Sequence, residues 1–150
     1  MIAGRHYLDH ASTAPLRPEA RDALIAALGT VGDPGRIHQE GMEARYAVER
    51  AREQVAALVG ARPREVVFTS GATESIAAVA FGAAGRGAHQ VVTAVEHSAV
   101  PAAAGRHGEV TAVGVDRLGR VDPDDVLAAV RPDTAIVHVQ WGNHEVGTTQ

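Results

Sequence analysis

Apolar positions along this chain fall into two regimes. In the first, Ala20, Leu24, Ala27 and Leu28 recur at helical spacing behind Pro18. The pattern predicts a helix over Pro18–Leu28, opened by the proline and closed by Gly29. Gly32-Asp33-Pro34-Gly35 is a turn cluster that starts a loop through His38. Ala44, Ala47, Val48, Ala51, Val55 and Leu58 then mark one face of a long helix, Gln39–Val59, with Gly60 as its stop. Arg45, Glu49, Arg52 and Glu53 fall on its outer face, at spacings that favour ion pairs.

From Glu65 the period shortens. Strand Glu65–Thr69, helix Ala72–Ala84, strand Gln90–Ala94, helix Ser98–Arg106, strand Glu109–Val115, helix Asp122–Val130 and strand Thr134–Gln140 follow in turn. Asp122 is a suitable N-cap with Pro123 behind it. Strict alternation predicts an α/β protein with a parallel sheet covered on both faces. In such sheets ligands bind at the carboxyl ends of the strands. Ahead of all this, Tyr7–Leu16 reads as a short extended arm.

Composition then removes several function classes. A chain of 150 residues is enough for one domain with a core, and its net charge of −4 argues against a nucleic-acid or anionic-membrane partner. No apolar run approaches the roughly 20 residues of a membrane span. Met1 to Asp9 contains no signal-peptide core. The expected location is the cytoplasm. There is no Cys, which removes disulfides, thiolate metal sites and a cysteine nucleophile. There is also no Lys, because all 14 cationic side chains are Arg, so no lysine Schiff base forms within these residues. The last strand is followed by ten residues and no covering helix, which suggests an interrupted domain: a fragment, a split protein or a truncated gene product.

Candidate chemistry sits at the strand ends. Phe68-Thr69-Ser70-Gly71-Ala72-Thr73-Glu74-Ser75 reads as a strand end, a glycine turn that a Cβ would obstruct, and a helix start. Free backbone N–H groups and the helix dipole there suit a phosphate or carboxylate, with the Thr73 hydroxyl as a further donor. An ordinary capped strand–helix connection fits the same residues, and the spacing is not that of a P-loop. Glu96-His97-Ser98 and Asn143-His144-Glu145 follow two other strands, so three polar loops are expected to converge on one cleft. His97 could stack on a flat heteroaromatic ligand or move protons, or could simply bond to backbone. His144 could contact a ligand or cap its loop. His6, His10, His38, His89, His107 and His138 are read as structural. No paired spacing indicates a metal. Gly82-Ala83-Ala84-Gly85-Arg86-Gly87 follows a helix rather than a strand, so it reads as a helix stop and not a dinucleotide loop.

Taken together, these stretches resemble one family. Tyr7-Leu8-Asp9-His10-Ala11-Ser12-Thr13-Ala14-Pro15 resembles the opening arm of cysteine desulfurases, Y-L-D-x-x-A-T-T-P. Phe68 to Ser75 matches their F-T-S-G-A-T-E-S, Glu96-His97-Ser98-Ala99-Val100 their E-H-x-A-V, and Asn143 to Gln150 resembles their N-N-E-x-G-x-x-Q. These enzymes belong to the class V aminotransferases, which use pyridoxal 5′-phosphate on fold type I. The resemblance implies an incomplete fold type I large domain over 17–150, behind an arm over 1–16, with the rest of that domain and a C-terminal small domain absent. It implies that Ala72 and Thr73 hold the cofactor phosphate, that His97 stacks on its ring, and that His144 stands where an Asn contacts the ring hydroxyl. It implies L-cysteine as substrate, L-alanine and an enzyme persulfide as products for iron–sulfur cluster or thio-cofactor synthesis, a homodimer, and a sulfur-acceptor protein. The family's Schiff-base Lys and persulfide Cys have no counterpart in these residues, so the chain alone is expected to be inactive. The His144 departure leaves room for another class V activity: a selenocysteine lyase, an epimerase or a transaminase. Without Lys and Cys, a non-catalytic remnant or a complementing subunit is the further alternative.

Overall fold

The computed structural model describes Gly4 and residues 6–150. It divides into two compact units, Met1–Phe68 and Thr69–Gln150.

The first unit is helical. Helix α1, Pro18–Leu28, starts at a proline and ends at Gly29, where the N–H groups of Gly29 and Thr30 bond back to the Ala26 and Ala27 carbonyls. Helix α2, Gln39–Val59, ends at Gly60 in the left-handed conformation, with φ of 68°. Its N-cap is His38, whose Nδ1 lies 3.3 Å from the Gly41 N and 3.0 Å from Glu40 Oε2. Both helices have the expected bounds, but the faces predicted to be apolar are mostly uncovered. No residue of α1 is buried, and α2 buries Gly41, Ala44 and Ala56. Leu58 is 84% exposed.

The predicted strand Glu65–Thr69 does not form. A single 3-10 turn occupies Pro63–Glu65, with the N–H of the preceding Arg62 bonded to the Glu65 carboxylate, and 66–69 are irregular. A strand needs a neighbouring ladder, whereas this segment is held from the side. Arg52 Nη1 donates to the Val66 carbonyl at 2.5 Å, and the guanidinium lies 5.0 Å from the Phe68 ring centroid. Val66 is half-buried but Val67 remains 77% exposed, so the β-branched run buries little that would favour pairing.

The second unit carries the sheet. Its elements are helix α3 (Ala72–Ala84), strand β1 (His89–Thr93), helix α4 (Ala99–Ala104), strand β2 (Glu109–Val113), helix α5 (Pro123–Ala129) and strand β3 (Thr134–His138). Both pairings are parallel, in the order β2-β1-β3, so the earliest strand is the central one. Every residue of β1 is buried. Val92, Val100 and Ala104 form the core, with Ile76 and Val110 packed against them.

Three polar side chains of β1 are buried inside this sheet: His89, Gln90 and Thr93. His89 is fully buried, and its two ring nitrogens bond to Thr134 Oγ1 and Thr111 Oγ1, each at 2.8 Å. One imidazole therefore links all three strands. Gln90, also buried, bonds His138 Nε2 at 3.0 Å through Oε1. Burial pushes His138 below the ordinary imidazole value, and Glu96 opposes that shift.

Candidate functional site

The site is built at the carboxyl ends of β1 and β3. Beyond β1 the chain turns at Thr93–Glu96, closed by the Glu96 N–H to the Thr93 carbonyl at 3.2 Å. His97 follows on the exposed side. Its Nδ1 accepts from the Ala99 N–H at 3.2 Å, so the neutral ring carries its proton on Nε2. Beyond β3 the chain folds back on itself, with a Gly142–Thr149 bridge and Asn143 N–H to Thr148 O at 2.8 Å. The Asn143 side-chain oxygen accepts from the N–H groups of Glu145 and Val146, at 2.8 and 3.0 Å, which fixes the turn that presents His144. Gly147 closes it with φ of 73°, a conformation that disfavours any side chain.

Both imidazoles line one cavity of about 480 Å³, with Glu96, Ser98, Asn143 and Glu145 around them. Two of the three expected loops therefore converge. Ala72 and Thr73 lie outside that cavity. Thr73 lines a separate hollow of about 150 Å³ with Ala77, Ala99 and Arg106. Nothing in the sequence marks Arg106 for a site: it ends a predicted helix, follows small residues and carries no motif.

The start of α3 differs from expectation in one respect. Gly71 has φ of 164°, an extended backbone open to any residue, and no atom lies within 4 Å of where its Cβ would be. The glycine is not required here for steric room. Instead the turn is held by side chains: Thr69 Oγ1 meets Ser75 Oγ at 2.8 Å, and Glu74 Oε2 accepts from the Ser70 N–H at 2.6 Å. Hydrogen bonds from Ser70 hold the Glu74 carboxyl below its ordinary value. Among the described residues, the N–H groups of Ala72, Thr73 and Glu74 donate to no protein acceptor. They and the α3 dipole remain free for an anion.

The family model for class-V aminotransferases matches residues 6–150. The chain belongs to the class-V aminotransferases. Cysteine desulfurase IscS of Dictyoglomus turgidum is 42% identical over 153 residues, covering 96% of this chain and 39% of the relative. A putative cysteine desulfurase IscS 1 of Bacillus subtilis is 40% identical, covering 97% and 41%. Among solved structures, SspA in complex with cysteine superposes with a TM-score of 0.89 at 29% identity, covering 96% of this chain and 44% of that one. This class-V chain thus spans about two fifths of the length of the relatives it matches. Its α/β architecture, a parallel sheet flanked by helices, is the corresponding part of that fold. Among the described residues, no helix is long and apolar enough to cross a membrane, and no cluster of His, Cys, Asp or Glu could hold a metal.

Proposed function

We propose that residues 17–150 are the N-terminal part of the cofactor-binding large domain of a cysteine desulfurase, behind an arm over 1–16, and that the site takes pyridoxal 5′-phosphate. The observation that carries this is the shared cavity of His97 and His144 at the ends of adjacent parallel strands. The chemistry of the donors fits the cofactor. The free N–H groups of Ala72 and Thr73, with the Thr73 hydroxyl, suit a phosphate dianion. His97, exposed and oriented by Ala99, offers a flat face for a pyridine ring, and the His144 imidazole can donate to a ring oxygen. When bound, the cofactor supplies an electron sink next to the substrate nitrogen.

In the whole protein the substrate is L-cysteine and the products are L-alanine and sulfur carried as a persulfide to an acceptor protein, in a homodimer. The Lys and Cys this requires are not among these 150 residues, so the role of this part is to bind and orient. The desulfurase relatives support this reading over the other class V activities.

Absorbance-monitored titration with pyridoxal 5′-phosphate tests the site directly. Because the chain has no lysine, side-chain amines add no background of imine formation. The wild type is expected to bind, and His97→Ala to bind about threefold to tenfold more weakly, the size of one lost stacking contact. Equal affinity of the two would remove His97 from the site.

A further inference from the structure

Two loops carry the site, and their spacing has to be set by something. Three hydrogen bonds run between them among the described residues, all donated by the later loop and accepted by the earlier one. Gln140 N–H donates to Glu96 Oε1 at 2.6 Å. Gln140 Nε2 donates to the Val95 carbonyl, which also accepts from Asn143 Nδ2 at 3.4 Å. Glu96 Oε1 takes a further bond from Thr93 Oγ1 at 2.8 Å, and Thr93 is buried at the end of β1. One oxygen thus joins the sheet, the loop leading to His97 and the loop leading to His144.

The rest of the Glu96 environment sharpens the point. Its side chain forms no salt bridge with any described cation, and the imidazole facing it from β3, His138, is pushed towards neutrality by burial. A half-buried carboxylate without a cation is costly unless its acceptor capacity is used. Here it is used on one backbone N–H and one hydroxyl, both reaching the same oxygen.

We propose that Glu96 is the positioning residue of this site: its carboxylate ties the His97 loop to the His144 loop and so sets the gap between the two imidazoles. This rests on the cofactor site proposed above for its consequence, though not for its geometry. His97 is the next residue along the chain, and His144 lies four residues beyond Gln140. A change at Glu96 therefore displaces both rings without removing either.

The test uses the 150-residue chain and the variants Glu96→Ala, Glu96→Asp and Glu96→Gln, read by NMR and by titration with pyridoxal 5′-phosphate. Gln keeps an oxygen at the same reach, whereas Asp keeps the charge but withdraws it by one carbon. In Glu96→Ala and Glu96→Asp, the Gln140 amide is expected to exchange about tenfold faster or more. The ring signals of both His97 and His144 should move, and the cofactor should bind about tenfold more weakly. Glu96→Gln should restore all three readouts to near wild type. If Glu96→Ala does not fold, the Asp and Gln variants still decide. Unchanged Gln140 exchange in Glu96→Asp, or failure of Glu96→Gln to rescue, overturns the assignment. A wild-type chain that binds no pyridoxal 5′-phosphate would instead sink the functional proposal, while the exchange and ring-signal comparison would still decide on Glu96.

Discussion

Helix α2 runs for 21 residues and buries three of them, whereas strand β1 runs for five and buries all five. Both are regular, for different reasons. A helix closes its hydrogen bonds within itself and needs only its ends completed, here by His38 and Gly60. A strand has no internal bonds, so β1 exists because β2 and β3 stand on either side. Stability in this molecule is therefore concentrated in the sheet, and the long helix adds shape more than buried area.

The comparison breaks most visibly at His89. His89→Leu removes the link between Thr111 and Thr134 and strands a hydroxyl beside an apolar side chain. The expected loss is about 2–4 kcal/mol, seen as a lower urea midpoint. A midpoint within error of wild type would show that the strands hold together without the imidazole.

Acid should act next, and again on the sheet. The His138 value is depressed from 6.5, so the unfolded chain takes the proton first and stability declines as pH falls below about that point. At the sheet's entry, Arg131 pairs with Glu109 and Asp133 and holds both carboxyls below their ordinary 4.5 and 3.8. Their contribution is complete above those values and is lost as pH falls through and below them. Urea midpoints across pH should be level above about 7 and decline in two stages, with the second weakened by salt. A flat profile between pH 7 and 5 would show that His138 stays unperturbed.

The smallest effect belongs to α2. Leu58→Ser changes a side chain that is 84% exposed, and should move stability by no more than about 0.5 kcal/mol. A loss several times larger would mean that this face is covered in solution.

The same contrast explains what could be read from the residues alone. α1, α2 and α3 have the bounds their periodicity predicts, because caps and spacing are local information. β1, β2 and β3 lie within one or two residues of expectation, since β-branched runs between turn residues mark them. Val66-Val67-Phe68 carries the same mark and is not a strand, because pairing depends on partners that no local pattern specifies. The convergence of His97 and His144 follows from the alternation of strands and helices, which puts both loops at one sheet edge. Glu96, Gln140 and Thr93 were beyond reach for the opposite reason. The bonds of Gln140 to Glu96 and Val95 join residues more than 40 positions apart, and the Thr93 hydroxyl matters only because it shares the oxygen that Gln140 uses, so nothing in the local spacing announces the arrangement.

The strand order also has a temporal side. β1 leaves the ribosome first, yet its second neighbour is made about 40 residues later, roughly two to eight seconds at ordinary rates of synthesis. Until then the His89 imidazole waits for one of its two hydroxyls and Val91 and Val92 present an open edge. The most buried segment of the finished unit is thus the one longest at risk while it is being made, and slowing or speeding translation across residues 94–133 should change the yield of soluble chain more than the same change anywhere in α2.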